Sequence, residues 1–185
     1  MTIRIALWAS LVLASVAIAE DDLASKMINT KTNGSWYFQP DKPKAKYMKA
    51  DVPGGMAFRA KATKGANPWD VQANSPVAGA INAGDVIMIN FYARAEEPAD
   101  GGSKLAVRIQ LNSAPWTPTL ETTAAITGEW KAYCAHRVAS ATLGENKGTV
   151  SIHLATAKQV IDLGPVFVFN LGKGYDEKSL KGCDG

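Results

Sequence analysis

Two stretches of strict period-two alternation, Asp85–Arg94 and Lys104–Asn112, constrain this chain more than any other feature. In the first, Ile87, Ile89, Phe91 and Ala93 form an apolar set, and Met88, Asn90, Tyr92 and Arg94 a mixed polar one. In the second, Leu105, Val107, Ile109 and Leu111 alternate with Arg108, Gln110 and Asn112. Successive side chains leave opposite faces of a pleated strand, so this period predicts two half-buried strands. The connection Glu96–Ser103 contains Pro98, Gly101 and Gly102, turn chemistry suited to a hairpin, which predicts that the two strands are neighbours. Their outward set is rich in amide, guanidinium and phenol groups and poor in carboxylates, and it is the candidate functional face.

The rest of the chain reads as further short strands. Ser35–Gln39 is aromatic and is cut off by Pro40-Asp-Lys-Pro43, which a central strand does not accommodate. Lys46–Val52 is followed by the turn Pro53-Gly-Gly55, and Met56–Ala62 turns Phe58, Ala60 and Ala62 inward and Arg59 and Lys61 outward. Trp69–Ala73 precedes a linking segment, Asn74–Asn82. After Asn112, the loop Ser113–Pro118 carries Trp116 between two prolines. Leu120–Ile126, Gly128–Val138, Thr149–Ala155 and Val160–Asn170 complete the series, with Ser151 and His153 outward in the third of these. No segment sustains a helical period. Many short strands separated by Gly/Pro turns predict an all-β fold, a sandwich or barrel.

The first nineteen residues are set apart from that fold. Arg4 precedes an apolar run, Ile5–Ile18, and Ala17-Ile-Ala19 is an A-x-A cleavage pattern before Glu20-Asp-Asp22, so residues 1–19 read as a secretory signal peptide. The run is shorter than the ~20 apolar residues of a membrane-spanning helix. Residues 20–185 then form one domain, secreted or periplasmic, with no membrane attachment after cleavage and expected as a monomer. The net charge of +3 comes with lysines scattered through turns, unlike the concentrated basic face of a nucleic-acid binder. Two cysteines, Cys134 in a predicted strand and Cys183 in the polar tail Lys178–Gly185, suit an oxidising compartment. A disulfide between them would pin the tail to the sandwich; the other reading, two free thiols or a redox pair, lacks the C-x-x-C spacing.

The order of these pieces resembles the galactose-binding-like jelly roll of carbohydrate-binding modules, especially families four, nine and twenty-two. The residues that carry the likeness are Gly54-Gly55-Met-Ala57-Phe58-Arg59, Trp69-Asp-Val-Gln72, Gly84-Asp85 through Phe91-Tyr-Ala93-Arg94, Val107-Arg-Ile109-Gln110, Gly128-Glu-Trp130-Lys-Ala-Tyr133 and Gly164-Pro-Val166-Phe-Val168. The resemblance implies a jelly-roll β-sandwich of two antiparallel sheets, one with a concave, sugar-binding face. It would place Arg59, Asn90, Tyr92, Arg94, Arg108, Gln110, Asn112, Ser151 and His153 on that face, with Gln72 nearby and with Tyr92, Trp69 and Trp116 as rings to cover a pyranose. Polar side chains on an open sheet are equally what water demands. Trp69 reads either as a site residue or as a buried anchor, Trp116 as a contact residue or a lid over the sandwich end, Trp36 as core or edge, and Trp130 as core. The implied partner is a poly- or oligosaccharide; no cofactor is required, although the family often carries a structural calcium, for which Asp51, Asp70, Asp162 and Asp176 supply carboxylates without defining a cage.

Catalysis is the competing reading. Glycoside hydrolysis uses two facing carboxylates, and the outward set has none. Jelly-roll polysaccharide lyases work with Arg, Tyr, His and Gln, an inventory matched by Tyr92, Arg94, Arg108, Gln110 and His153. In such an enzyme a base removes a proton alpha to a uronate carboxylate that Arg neutralises. There is no G-x-S-x-G elbow, and His136 and His153 lack metal-ligand spacing. A third class, a sandwich that contacts another protein and no sugar, fits the same polar face.

Overall fold

The computed structural model describes residues 23–29, 36–39, 46–98, 103–180 and 182–183. Residues 1–19, expected from sequence to be a signal peptide, the Pro40–Pro43 break and the middle of the 96–103 connection lie outside the described residues. Among the described residues, ten strands form two five-stranded antiparallel sheets. They are β1 (Tyr37–Gln39), β2 (Lys46–Lys49), β3 (Met56–Ala62), β4 (Gln72–Val77), β5 (Asp85–Glu97), β6 (Ser103–Leu111), β7 (Pro118–Ile126), β8 (Lys131–Val138), β9 (Gly148–His153) and β10 (Gln159–Lys173). One sheet has the order β1-β4-β9-β6-β7, the other β2-β3-β10-β5-β8. The predicted jelly-roll sandwich is the architecture found.

Both alternating strands form, and their apolar sets enter one core. Ile87, Ile89 and Phe91 from β5 and Leu105, Val107 and Ile109 from β6 are buried in the same cluster, with Val150, Ile152, Ile161 and Val168. The hairpin expectation is corrected, because β5 pairs with β10 and β8, whereas β6 pairs with β7 and β9. Alternation specifies which side of a strand meets the core and leaves its hydrogen-bonded partner open. Here the two strands face each other across the sandwich, so their outward residues leave the molecule on opposite sides. Asn74–Asn82 likewise departs from a linker: Asn74–Val77 belongs to β4, with Ala73 and Val77 buried against the core.

β10 is the central strand of its sheet, pairing with both β3 and β5. Its register slips between Leu163 and Val166, where Gly164-Pro165 falls, a placement suited to proline because a bulge needs no ladder donor there. Trp36 closes that irregularity: its indole N–H donates to the Gly164 carbonyl at 2.8 Å, and the ring is buried in the core.

The outer face of this sheet is largely covered. Val86, Met88, Phe169 and Leu171 form a second apolar cluster, over which Leu23, Met27, Leu180 and Cys183 of the terminal segments pack. A Cys134–Cys183 disulfide clasps the tail to β8, as the sequence suggested. His136 Nδ1 lies 3.1 Å from Glu177 Oε2 and adds a second tie. The disulfide spans 49 residues, a loop worth about 4 kcal/mol in the chain-entropy account. Replacing both cysteines by serine is expected to lower stability by roughly 2–4 kcal/mol, read as a lower urea midpoint. An unchanged midpoint would show that the clasp does not stabilise the sandwich.

Candidate functional site

The outer face of the β1-β4-β9-β6-β7 sheet carries a groove. In register across it run Gln39, Gln72 and His153, and beside that row Tyr37, Asn74, Ser151, Arg108 and Glu121. A third row places Thr149 beside Gln110. Over this floor lies a groove of about 570 Å³, floored by Gln39, Gln72, His153, Arg108 and Gln110 and walled by Trp69, Trp116, Pro115 and Pro118.

Local chemistry builds each wall. Trp69 sits in a single 3-10 turn, Pro68–Asp70. Asn67 and Asp70 exchange bonds across that turn: the Asn67 backbone N–H donates to Asp70 Oδ2 at 2.9 Å and its side-chain amide to Oδ1 at 3.3 Å. The Asn67 N–H holds the Asp70 carboxyl below its ordinary pKa, against a smaller opposing effect of burial. Gly65 is required beside it, since a Cβ there would come within 2.7 Å of Asp70 Oδ2. Bonds from Leu154 and Ala155 N–H to the Val71 and Pro68 carbonyls dock the turn onto the end of β9. The Trp69 ring is left 50% exposed, edge-on to His153 at 6.1 Å. It is therefore not the buried anchor that its sequence context allows.

Trp116 is presented by the β6–β7 loop with a φ of 59°, a left-handed backbone that a bulky residue adopts only when its surroundings enforce it. The surroundings do so through bonds from Leu111 N–H to Thr117 O at 3.0 Å and from Trp116 N–H to Ser113 O at 2.8 Å. The peptide bond Ala114–Pro115 is cis. Trp116 is 46% exposed.

On the floor, Ser151 donates to Gln72 Oε1 at 2.6 Å, and Gln72 Nε2 donates to the Trp69 carbonyl at 3.0 Å, which links floor to wall. Arg108 Nη2 donates to Glu121 Oε1 at 2.7 Å. Gln110 is only 5% exposed, and its Oε1 has no hydrogen-bond partner among the described residues. Arg108 Nε and Asn74 Nδ2, on the same sheet face, are also buried and unpartnered there. Such groups are costly to bury, roughly 1–3 kcal/mol each; among the described residues Asn90 Oδ1, on the opposite sheet, and Ser103 Oγ are also buried and unpartnered. His153 is held neutral, its pKa pushed down to about 4 by burial first and by the Arg108 charge second, with Glu121 opposing.

Of the residues expected at a ligand face, Trp69, Gln72, Arg108, Gln110, Trp116 and His153 are brought together here. Asn112 is not: β6 ends at Leu111, and the Asn112 amide donates to the Asn146 carbonyl at 3.0 Å, securing the Trp116 loop against a neighbouring turn. Arg59, Asn90, Tyr92 and Arg94 lie across the sandwich, on the outer face of β3 and β5. The expectation of one continuous polar face is corrected by the assignment of β5 and β6 to different sheets. Arg59 and Arg94 there converge on Asp162, whose side chain is 0% exposed: Arg59 Nε donates at 2.7 Å, and Arg94 Nε at 2.8 Å. Glu96 bridges both guanidinium groups from the solvent side at 3.0 and 3.1 Å. Asp162 raises the Arg59 pKa above its ordinary value. Trp130, expected in the core, is instead half-buried with the Arg94 guanidinium 5.3 Å from its ring centre. Asn90 pairs in register with Cys134, the tail's anchor point, and Tyr92 packs over Gly164, where a Cβ would approach Tyr92 Cβ to 2.8 Å.

The lyase-type inventory is divided in the same way, with Tyr92 and Arg94 on one sheet and Arg108, Gln110 and His153 on the other. Among the described residues, no three His, Cys, Asp or Glu side chains gather as metal ligands. Of the aspartates considered for calcium, Asp70 and Asp176 cap turns and Asp162 is held by arginines. Gln39, Pro115 and Pro118 line the groove and were not singled out from sequence. Gln39 was accessible to it, as the outward alternate of core residue Phe38.

No protein-family model and no curated protein sequence matches the chain. Solved structures do. A CBM4 carbohydrate-binding module is similar with a TM-score of 0.56 and 18% identity over 74% of this chain and 94% of that one. The second N-terminal cellulose-binding domain of Cellulomonas fimi β-1,4-glucanase C matches with a TM-score of 0.55 and 18% identity, covering 80% of this chain and 93% of that one. The CBM22-1–GH10 modules of Clostridium thermocellum xylanase 10B, complexed with xylohexaose, match with a TM-score of 0.55 and 11% identity, covering 81% of this chain and 28% of that longer one. The fold is therefore the jelly roll of carbohydrate-binding modules. Among the described residues no helix is long and apolar enough to cross a membrane.

The neutral His153 makes stability pH-dependent with a definite sign. The folded-state pKa is depressed, so its contribution is complete above the ordinary value of 6.5 and is lost as pH falls toward 4, where the unfolded chain is the first to take up the proton. His153→Gln is expected to flatten the stability profile between those pH values. An unaltered profile would mean that His153 is solvated and titrates normally.

Proposed function

We propose that this is an exported, non-catalytic carbohydrate-binding protein that holds a sugar chain in the groove on the β1-β4-β9-β6-β7 sheet. The observation that carries the reading is two half-exposed indoles, Trp69 and Trp116, walling a floor of amides and a neutral imidazole in which Gln110 Oε1 is buried and unpartnered. Indole faces match the C–H faces of pyranose rings, and amides match hydroxyls, which both donate and accept. The jelly-roll likeness to carbohydrate-binding modules supports the same reading, as do the signal-peptide pattern and the Cys134–Cys183 disulfide for an oxidising compartment outside the cytoplasm.

The test is a glycan array probed with residues 20–185, followed by titration calorimetry on the sugars that bind. Trp69→Ala, Trp116→Ala and Gln110→Ala are each expected to weaken binding by about tenfold or more, the scale of truncating a buried contact at a binding surface. Arg94→Ala, on the opposite sheet, is expected to keep its affinity while losing some stability with its Asp162 bond. Full affinity in folded Trp69→Ala and Gln110→Ala proteins would remove the groove as the site.

A further inference from the structure

The groove distinguishes between kinds of sugar chain through its charge. Among its described lining residues Arg108 alone carries a full charge near neutral pH, because His153 is neutral and no carboxylate lines the groove. Glu121 reaches Arg108 from the neighbouring edge strand, but through Nη2 only, and its side chain is 46% exposed. An exposed, single-bonded ion pair is worth about 0–1 kcal/mol. Arg108 Nε meanwhile is buried with no partner among the described residues. A guanidinium satisfied on one side of its fork and orphaned on the other is poised to exchange a weak partner for one that uses both donors, since paired, forked contacts to carboxylate are the strong form of this interaction. Two residues along the same strand and on the same face, about 7 Å away, Gln110 Oε1 waits for a donor. An orphan cationic donor and an orphan neutral acceptor at that spacing match a carboxylate and a hydroxyl on one sugar unit.

We infer that the chain held in this groove contains uronic acid residues. Arg108 leaves Glu121 and takes the uronate carboxylate through Nε and Nη2, while Gln110 Oε1 accepts a hydroxyl from the same or the adjacent sugar. This rests on the groove being a sugar site. At His153 the Arg108 charge lowers the pKa and the Glu121 charge opposes it, so both charges are felt on the groove floor. Glu121 serves as a stand-in carboxylate that keeps Arg108 paired when no ligand is bound.

The experiment titrates residues 20–185 with six-residue oligomers of galacturonate, glucuronate and mannuronate. Each is set beside the same oligomer with its carboxyls reduced to primary alcohols, and polyglutamate serves as an anionic chain without sugar. At least one uronate oligomer is expected to bind about tenfold or more tightly than its reduced form, the worth of a hydrogen-bonded charge. Arg108→Gln is expected to erase that difference, and Glu121→Gln, which leaves Arg108 in place and free, to enlarge it. Equal affinity for uronate and reduced oligomers, binding of neutral oligomers alone, equal binding of polyglutamate, or weaker uronate binding by Glu121→Gln would each overturn the inference. In the first two cases the groove stands as a neutral-sugar site. Binding of no sugar in any form would overturn the sugar reading itself.

Discussion

The structure depends on one shared core. Ile87, Ile89 and Phe91 from one sheet and Leu105, Val107 and Ile109 from the other are buried in a single cluster, and burial of such side chains, worth about 1.5–3 kcal/mol each, aligns two five-stranded sheets face to face. Every inward residue is thereby committed to packing, and function is left to the two outer faces. These have been used differently. The outer face of the β2-β3-β10-β5-β8 sheet is closed by the terminal segments, the Cys134–Cys183 disulfide and the arginine pair around Asp162. The other carries a groove with Trp69 and Trp116 at its walls.

The Asp162 network shows why polar composition alone does not mark a site. Its carboxylate has no solvent exposure, yet each oxygen accepts from an arginine, so a charge that would be prohibitive alone is compensated on the spot. Removing one arginine would leave it half-paired, which makes these residues structural. In the groove the arrangement is reversed. Gln110 Oε1 and Arg108 Nε are buried without partners among the described residues, and the Trp116 backbone is held in a strained conformation. Unmet bonds and a strained backbone at the groove support the proposed binding surface.

Much of the fold was legible from residues alone, because alternation and Gly/Pro turns are local signals. β3 spans the predicted residues, β5 and β6 differ only at their ends, and the disulfide joins the expected cysteines. Sheet membership was not legible. Asn90 and Gln110 both alternate outward, yet nothing local to either strand records that they point in opposite directions, since that depends on pairing with β8, β9 and β10 far along the chain. Of the residues whose parity and chemistry suggest one polar face, Trp69, Gln72, Arg108, Gln110, Trp116 and His153 line the groove, and Arg59, Asn90, Tyr92 and Arg94 lie on the other sheet. Asn112 looked outward by parity, but the strand ends one residue before it. In β1 the aromatic residues obscure the alternation that turns Gln39 outward beside buried Phe38.

The central claim is that the open sheet, and not the covered one, meets the sugar. The most direct measurement is the change in backbone amide NMR shifts of residues 20–185 as a binding glycan is titrated in. The account predicts that the shifts concentrate at Gln72, Arg108, Gln110 and His153 and in the Trp69 and Trp116 loops. Shifts concentrated instead at Arg59, Tyr92 and Arg94 would contradict it and move the site across the sandwich.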